Sequence, residues 1–480
     1  MAAAPHPGGA PGPGPPQPIV LPHGAAPAAP AAPAPSRRHL IFCDGTGENA
    51  ADVGPSSNLA RLALSIAAQG LDGKQQICYY QQGLGTGTNN IKGIANRVFE
   101  LGLGQGMDQN IQIIYSTLCP IPPPQRSAPA NPPPPRYQPG DTLCFFGFSR
   151  GAATARAAAD FIATVGLLQG PADPKLVSAL YEEWLKVSSD NYKPPTAPEL
   201  RTTRAEIECV GVFDTVQGLG VPKPVQESLR SGVPPTVNPL ARKAHLLHKS
   251  IPYGFQALAL HEMRDAFTPE VWSSKSAPAQ RLQQTWFAGK HSDVGGAIVE
   301  GKPNSGLANA ALRWMAALLT NIHIGIAVKN ADLNKNLEIL LGEAGQGQAR
   351  IQGTLSATLT GGQTPRTPGR YAKGIEEVHV SVRNTGLLNI ESMPSKPALD
   401  QLIGVAERGP NGNFVWVNKT APSTRVNALP GAQPEEIIME EDPTIAPQEG
   451  SAGNQTQTAP VHPLPSSSNP AGSVPRPIRR

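Results

Sequence analysis

One stretch constrains the fold of this chain more than any other: an apolar run that passes directly into a segment rich in alanine. The run TLCFFGF ends at Phe148, and the segment SRGAATARAAADFIATVGLL begins at Ser149. The serine lies in Gly147-Phe148-Ser149-Arg150-Gly151, a pattern typical of a sharp turn between a strand and a helix. A Cβ atom at either glycine would collide with the neighbouring strand or helix. The pattern therefore predicts a helix packed closely on a sheet, and with it the α/β fold class.

The rest of the chain supports this fold class. Short apolar or β-rich runs alternate with helix-like segments, as in sheets built from strand-helix units. The runs are continuously hydrophobic, which predicts strands that are covered on both faces, as in a parallel sheet. The predicted strands are residues 39–43, 76–81, 142–148, 207–213 and 285–289. We therefore expect an α/β-hydrolase-like, mostly parallel sheet with helices on both faces.

Ser149 is a candidate nucleophile, and the chain supplies the partners that a serine requires. A serine hydroxyl is a poor nucleophile at neutral pH unless a histidine accepts its proton and an acid orients that histidine. Asp214 follows the strand IECVGVF and His291 follows the strand TWFAG, so the three residues come in the order Ser, acid, His that α/β hydrolases use. The alternative for Asp214 is a turn or helix cap. Asp293 is a competing acid, which we interpret as a brace of the loop around His291.

A glycine-rich loop follows the first predicted strand. In Asp44-Gly45-Thr46-Gly47, small residues would let backbone N–H groups converge on an oxyanion, beside the amide of Arg150. Asp44 would support the loop. No lysine follows in the pattern GxxxxGK[ST], so the sequence predicts no phosphate cradle and no cofactor. A metallohydrolase is the alternative interpretation, with these ligands: Asp44, Asp214, His291 and Asp293.

Composition excludes several other classes. The net charge is +4, and no run of lysine and arginine is interleaved with aromatic residues, so nucleic acid is not a predicted partner. The start of the chain lacks the pattern of a secretory signal or mitochondrial presequence. The most apolar helical segment is interrupted by Arg313, Asn321 and His323, which argues against a membrane span. We therefore expect a cytoplasmic protein.

The five cysteines carry no metal or disulfide pattern. They are odd in number, show no CxxC spacing and lie mostly within predicted buried strands. They are interpreted as small buried hydrophobic residues in a reducing compartment. No metal site is predicted from them.

Several blocks of the sequence match one family in the same order. They are CDGTGEN, YYQQGLGTG, PGDTLCFFGFSRGAATAR, VGVFDTVQGLG and FAGKHSDVGGA, followed by ALALHEMRDAFTPEVW and EEVHVSVR. With these blocks the chain resembles the α/β-hydrolase-like domain-of-unknown-function family that includes the catalytic domain of type VI secretion phospholipase effectors and many fungal proteins. The resemblance covers about Arg37 to Asn418. It implies a serine esterase or phospholipase whose triad is Ser149, Asp214 and His291.

The chain departs from the family pattern at three positions. His261 stands where the family usually has aspartate, Asn309 replaces an aspartate, and Gly47 replaces a tryptophan. None of the three departures touches Ser149, Asp214 or His291, and all lie in segments expected to shape the pocket, so they bear on the substrate class and not on the chemistry. His261 is interpreted as a satisfied helix histidine, with an alternative base as the rival interpretation.

These observations give a predicted organisation. We expect a disordered arm rich in Pro, Ala and Gly at 1–36, a catalytic domain at 37–420 and a disordered tail at 421–480. Within the domain, 120–140 is a proline-rich loop insert and 221–284 is a candidate cap between acid and base. The predicted substrate is an ester or lipid, with peripheral membrane contact and a partner at the proline-rich segments as further expectations. A non-catalytic scaffold, an amidase and an acyltransferase are the alternatives. The sequence predicts no oligomeric state.

Overall fold

The structure is a computed structural model that describes fifteen segments of the chain. The predicted arm, most of the loop insert and most of the predicted tail lie outside these segments and stay predictions. The described residues are 36–45, 57–83, 105–120, 136–216, 243, 245–264, 267–296, 306–320, 323–329, 366, 376–379, 405–408, 414–417, 435–437 and 458–464.

The described strands form one large sheet and a two-stranded ribbon. The order across the sheet is β10-β11-β12-β9-β8-β7-β6-β3-β1-β2-β13. From β13 to β12 each neighbouring pair is parallel, and the pairs that involve β11 are antiparallel. The strands are β1 (Arg37–Cys43), β2 (Gln75–Gln81), β3 (Thr142–Phe148), β4 (Leu167–Leu168), β5 (Thr202–Thr203), β6 (Glu206–Phe213), β7 (Tyr253–Ala259), β8 (Arg281–Phe287), β9 (Glu376–His379), β10 (Val405–Arg408), β11 (Phe414–Val417), β12 (Glu435–Ile437) and β13 (Val461–Leu464).

Helices cover both faces of this sheet, as the continuous hydrophobicity of the strands predicted. In β1, Leu40 and Phe42 belong to the buried cluster that contains α1 and α6, whereas Ile41 and Cys43 belong to the cluster that contains α2, α3 and α4. The mostly parallel α/β prediction is therefore confirmed. The helices are α1 (Asn58–Ser65), α2 (Gln105–Leu118), α3 (Ser149–Val165), α4 (Pro174–Lys186), α5 (His291–Gly295) and α6 (Gly306–Leu319), with 3₁₀ turns at Ser189–Asn191 and Pro198–Leu200.

Strand β7 corrects the candidate cap at 221–284. Its sequence YGFQALA is buried from the second residue on, and it pairs with β6 on one side and β8 on the other. The cap range therefore contains strand β7 and the first residues of β8. The sequence did not indicate β7, because a strand that is buried on both faces shows no alternation of apolar and polar residues. The part of the range at 217–242 lies outside the described residues, so a cap there stays a prediction.

The predicted disordered tail contributes two strands to the sheet, which corrects the prediction there: β12 lies between β9 and β11, and β13 lies at the edge. Strand β13 pairs in parallel with β2, and Leu464 at its end is buried. The ring of His462 packs against that of Tyr79, with 5.9 Å between the centroids. Pro463, which has no N–H to donate, is tolerated in a strand at the edge of a sheet.

The described residues bear on two further expectations. None of their helices is long and apolar enough to cross a membrane. All five cysteines are buried, as predicted, and each has a free thiol.

Candidate active site

The turn between β3 and α3 holds Ser149 in a conformation that side chains rarely adopt. The backbone passes from extended at Phe148 to a φ of 58° at Ser149, in the left-handed region. Gly147 and Gly151 make this possible: an added Cβ would lie 2.4 Å from the Cα of Ala152 at the first and 2.1 Å from the carbonyl oxygen of Cys43 at the second. The close approach predicted from the glycines is therefore present, and Ser149 lies at the carboxyl end of β3.

Ser149, His291 and Asp214 form one hydrogen-bonded chain. The Oγ atom of Ser149 lies 2.8 Å from Nε2 of His291, and Nδ1 of His291 lies 2.6 Å from Oδ2 of Asp214. All three residues are buried, and Asp214 is wholly inaccessible to solvent. The contacts join residues that are 142 and 77 positions apart in the chain. The fold thus brings together the three side chains that the sequence singled out.

Asp214 is held firmly at the end of β6. Its own φ is 40°, its N–H donates to the carbonyl of Ala257, and its Oδ1 accepts from the N–H of Ala259 at 2.9 Å. Oδ1 also accepts from Nη1 of Arg366 at 2.7 Å. Burial alone would raise the pKa of this carboxyl, but the charge of Arg366 and the contact with His291 bring it down to about 2. Asp214 is therefore ionised at neutral pH, and its carboxylate faces His291.

The imidazole of His291 lies between two aromatic rings. The centroid of Phe148 is 4.9 Å from that of His291, and the edge-on ring of Phe267 is 4.8 Å away. His291 begins the short helix α5, where Oδ2 of Asp293 accepts from the N–H of Lys290 at 2.8 Å. Asp293 thus caps the helix that carries His291, in line with its interpretation as a brace.

A further acid near His291, in addition to Asp214 and Asp293, was not predicted. Glu262 is wholly buried, accepts from the guanidinium of Arg264 with both carboxylate oxygens, and has Oε2 3.4 Å from the N–H of His291. Burial would raise the pKa of Glu262, but the Arg264 pairing lowers it overall. Arg264 also stacks on Phe267, 3.6 Å from the ring centroid. The signal was present in the segment HEMRDAF, whose Glu, Arg and Phe match the family pattern.

The ring of His261 accepts a hydrogen bond that a carboxylate could also accept. The backbone N–H of His261 donates to the carbonyl of Gly289. The ring atom Nδ1 of His261 accepts from the backbone N–H of Gly289 at 2.8 Å. His261 lies in a turn after β7 and not in a helix, which corrects the expected helix histidine. Burial lowers its pKa to about 4, so the ring is neutral and Nδ1 can accept. The contact fixes the residue two positions before His291.

We expect His261→Asp to retain within about threefold of wild-type esterase activity, since a carboxylate also accepts from Gly289. His261→Leu removes the acceptor and leaves a buried N–H unpaired, which costs about 1–3 kcal/mol of stability and misplaces His291. Rates of ester hydrolysis and thermal melting of both variants at pH 7 measure this. Equal activity in the two variants would show that the Gly289 contact does not position the histidine.

The loop after β1 is only partly described. Asp44 is buried, and its carboxylate accepts from Ser57, from Tyr80 and from the N–H of Gly45, the last at 2.7 Å. Burial raises its pKa despite these bonds. It supports the loop, but it engages the Gly45 amide, which corrects the expectation that this amide faces an oxyanion. Thr46 and Gly47 lie outside the described residues.

The four residues of the predicted metal alternative do not converge. Asp214 and His291 contact each other, whereas Asp44 binds the start of α1 and Asp293 caps α5. In the described part of the chain, no three His, Cys, Asp or Glu side chains are arranged to hold an ion. The arrangement around Ser149 instead fits transfer of a proton from the hydroxyl to the imidazole.

A comparison with known families agrees with the resemblance in the sequence. The family described as "T6SS, Phospholipase effector Tle1-like, catalytic domain" matches residues 37–317, more than half of the chain. The chain belongs to this family. Membership in this Tle1-like family supports a hydrolase of the lipase or phospholipase type, and the matched span contains Ser149, Asp214 and His291. Arg366 lies beyond it.

Individual proteins and solved structures that resemble the chain match only part of it, at 18–30% identity. The uncharacterized protein YEL023C of Saccharomyces cerevisiae is 30% identical in an alignment of 206 positions that covers 39% of this chain and 28% of that protein. A crystal structure of an uncharacterized protein from Pseudomonas aeruginosa has a TM-score of 0.37 and 18% identity, covering 66% of this chain and 51% of that one. The structure of the Tle1 effector bound to the VgrG spike from the type 6 secretion system has a TM-score of 0.29 and 20% identity, covering 56% and 53%. The chain thus spans about a quarter of the yeast relative and about half of each solved chain.

Proposed function

We propose that this protein is a serine hydrolase that cleaves carboxylic esters, with acyl lipids such as phospholipids as its substrate class. The observation that carries the proposal is the chain from Ser149 Oγ through His291 to Asp214, at 2.8 and 2.6 Å, on a strained turn. Hydrogen-bond distances in this range allow direct proton transfer. The family supports the lipid substrate.

The reaction follows from the contacts of these three side chains. Oγ of Ser149 attacks the ester carbonyl while Nε2 of His291 accepts the hydroxyl proton, and the ionised Asp214 stabilises the imidazolium. His291 then donates that proton to the leaving alcohol oxygen, which gives an acyl-enzyme. A water molecule then attacks the acyl carbonyl while Nε2 of His291 accepts its proton. As the bond between the acyl carbon and Oγ of Ser149 breaks, His291 returns that proton to Oγ and the carboxylic acid leaves.

The tetrahedral intermediate needs hydrogen-bond donors for its oxyanion. The amide of Arg150 directly follows the nucleophile in the first turn of α3, and the N-terminal end of a helix favours negative charge. This amide is the donor that we assign to the oxyanion, together with the loop at Thr46 and Gly47. One such donor is worth about 10²–10³ in kcat in serine hydrolases.

The decisive test is Ser149→Ala. We expect kcat on a short-chain aryl ester to fall at least about 10⁴-fold, because the nucleophile is lost while the rest of the site remains. Covalent labelling by a fluorophosphonate should disappear with it. Ser178→Ala is a matched control, since Ser178 lies on α4 and bonds Gln112.

Two results would count against the proposal. A wild type that neither labels nor hydrolyses a panel of esters would indicate a scaffold. Hydrolysis that survives Ser149→Ala and disappears with a chelator would indicate a metallohydrolase. The lipid class is tested separately, by comparing fatty acid release from phospholipid vesicles with hydrolysis of a soluble ester of equal acyl length.

A further inference from the structure

Arg366 joins three parts of the site from a distant position in the chain. It is buried, with 3% of its surface exposed. Its Nη1 donates to Oδ1 of Asp214 and to the carbonyl of Ala259, each at 2.7 Å, and its Nη2 donates to the carbonyl of Phe267. The guanidinium therefore contacts the acid, the end of β7 and the residue whose ring packs on His291.

The charge of Arg366 balances that of Asp214. Of the described residues, Arg366 and His291 form the ion pairs of this carboxylate, one on each oxygen. A buried carboxylate with no counter-charge is unfavourable and takes up a proton. A histidine must be neutral to accept the serine proton, so Arg366 is the partner that supplies a permanent positive charge to this carboxylate.

We propose that Arg366 is a positioning residue of the hydrolysis: it holds Asp214 in the orientation that faces His291 and keeps the Asp214–His291 pair ready to accept the serine proton. This inference rests on the proposed function. It adds a requirement from outside the family-matched span of residues 37–317, since Arg366 lies 49 positions beyond its end.

A positioning role of Arg366 next to Asp214 affects the pH dependence of the reaction, whereas a role in packing alone would not. Removing a positive charge next to Asp214 raises the proton affinity of the Asp214–His291 pair, whose titration belongs to both groups. The acid limb of the pH–rate profile should therefore move to higher pH. The other charges around His291 are Glu262 with Arg264, Lys290 and Asp293, and they are unchanged in the variants below.

The experiment compares Arg366→Gln and Arg366→Lys with the wild type. The rate of fluorophosphonate labelling and kcat/KM for an aryl ester are measured from pH 5 to pH 9. For Arg366→Gln we expect an acid limb about one unit higher and a kcat about 10- to 100-fold lower. KM should be unchanged because Arg366 contacts no substrate. Arg366→Lys keeps the charge, so its limb should stay at the wild-type pH, with kcat at least about threefold lower because one ammonium cannot reproduce the fork.

Arg156→Gln is the matched control. Arg156 is equally buried, donates to the carbonyl of Glu270 and stacks on Trp272, away from the Ser149 chain. The Arg156→Gln substitution should lower the melting temperature and leave the acid limb of the pH–rate profile at the wild-type pH. A limb that moves equally in Arg156→Gln and Arg366→Gln would reduce Arg366 to a structural role.

The remaining outcomes distinguish the role of Arg366 from the proposed serine hydrolase activity. A wild type that does not label at Ser149 overturns both. Labelling that depends on Ser149, with limb and rate unchanged in a folded Arg366→Gln, overturns the role of Arg366 alone. If Arg366→Gln does not fold, the Lys variant decides, because wild-type kcat in that variant contradicts the need for the guanidinium fork.

Discussion

Asp214→Asn is expected to lower kcat by about 10⁴-fold, the scale seen when the corresponding acid of a serine protease becomes an amide. The carboxylate accepts from His291, Arg366 and Ala259 at once. An amide has one oxygen, which Arg366 and Ala259 would occupy, so its NH₂ group would face Nδ1 of His291. The imidazole would then carry its proton on Nε2, facing Ser149, and could not accept the serine proton.

The measurement is kcat on an aryl ester together with fluorophosphonate labelling, and thermal melting reports the fold. Asp190→Asn is a suitable control because Asp190 is an exposed partner of Lys249 and lies outside the site. It should leave both readouts at wild-type values. An Asp214→Asn protein that melts normally and retains more than about a tenth of wild-type kcat would remove Asp214 from the mechanism and direct attention to Glu262.

The sequence predicted that the three candidate catalytic residues would lie close together, because parallel strands end at the same edge of a sheet. Ser149, Asp214 and His291 each follow a hydrophobic run, and the edge at which β3, β6 and β8 end brings them together. The sequence did not reveal that β7 lies between β6 and β8. Its run YGFQALA is short, and buried strands of this length resemble buried helix segments in sequence.

The residues that support the triad were harder to find than the triad itself. Glu262 and Phe267 stand in a segment that matches the family, but no rule of spacing relates them to His291. Arg366 lies in QTPRTPGR, where prolines and threonines indicate a loop and nothing indicates a buried cation. Its role depends on a contact across 152 positions, which only the folded chain brings together.

His261 departs from the family pattern in residue type but still provides a hydrogen-bond acceptor. The position requires an acceptor for the Gly289 N–H, and a neutral imidazole provides one. The sequence left open whether His261 was a second base. Since Nδ1 is occupied by Gly289 and the residue lies 4% exposed, the geometry favours support of the His291 loop.

Gly151→Ala is expected to have the largest effect on the fold around the site. A Cβ at this position would lie 2.1 Å from the carbonyl oxygen of Cys43 and 2.4 Å from that of Asp44. Both atoms belong to the backbone at the end of β1, which is held by β2 and β3 on its two sides and cannot yield. Helix α3 must therefore move away from the sheet, and Ser149 moves with its first turn.

We expect this displacement to lower the free energy of unfolding by about 2–4 kcal/mol and kcat/KM by at least about 10²-fold, since shifts near 1 Å in a catalytic group have that effect. Chemical denaturation and aryl ester kinetics measure the two. Gly170→Ala is the control, because a Cβ there meets no atom within 4 Å and should change stability by well under 1 kcal/mol. Wild-type values of both quantities in Gly151→Ala would mean that α3 does not pack on β1 as closely as the site requires, and the strained turn at Ser149 would lose its physical basis.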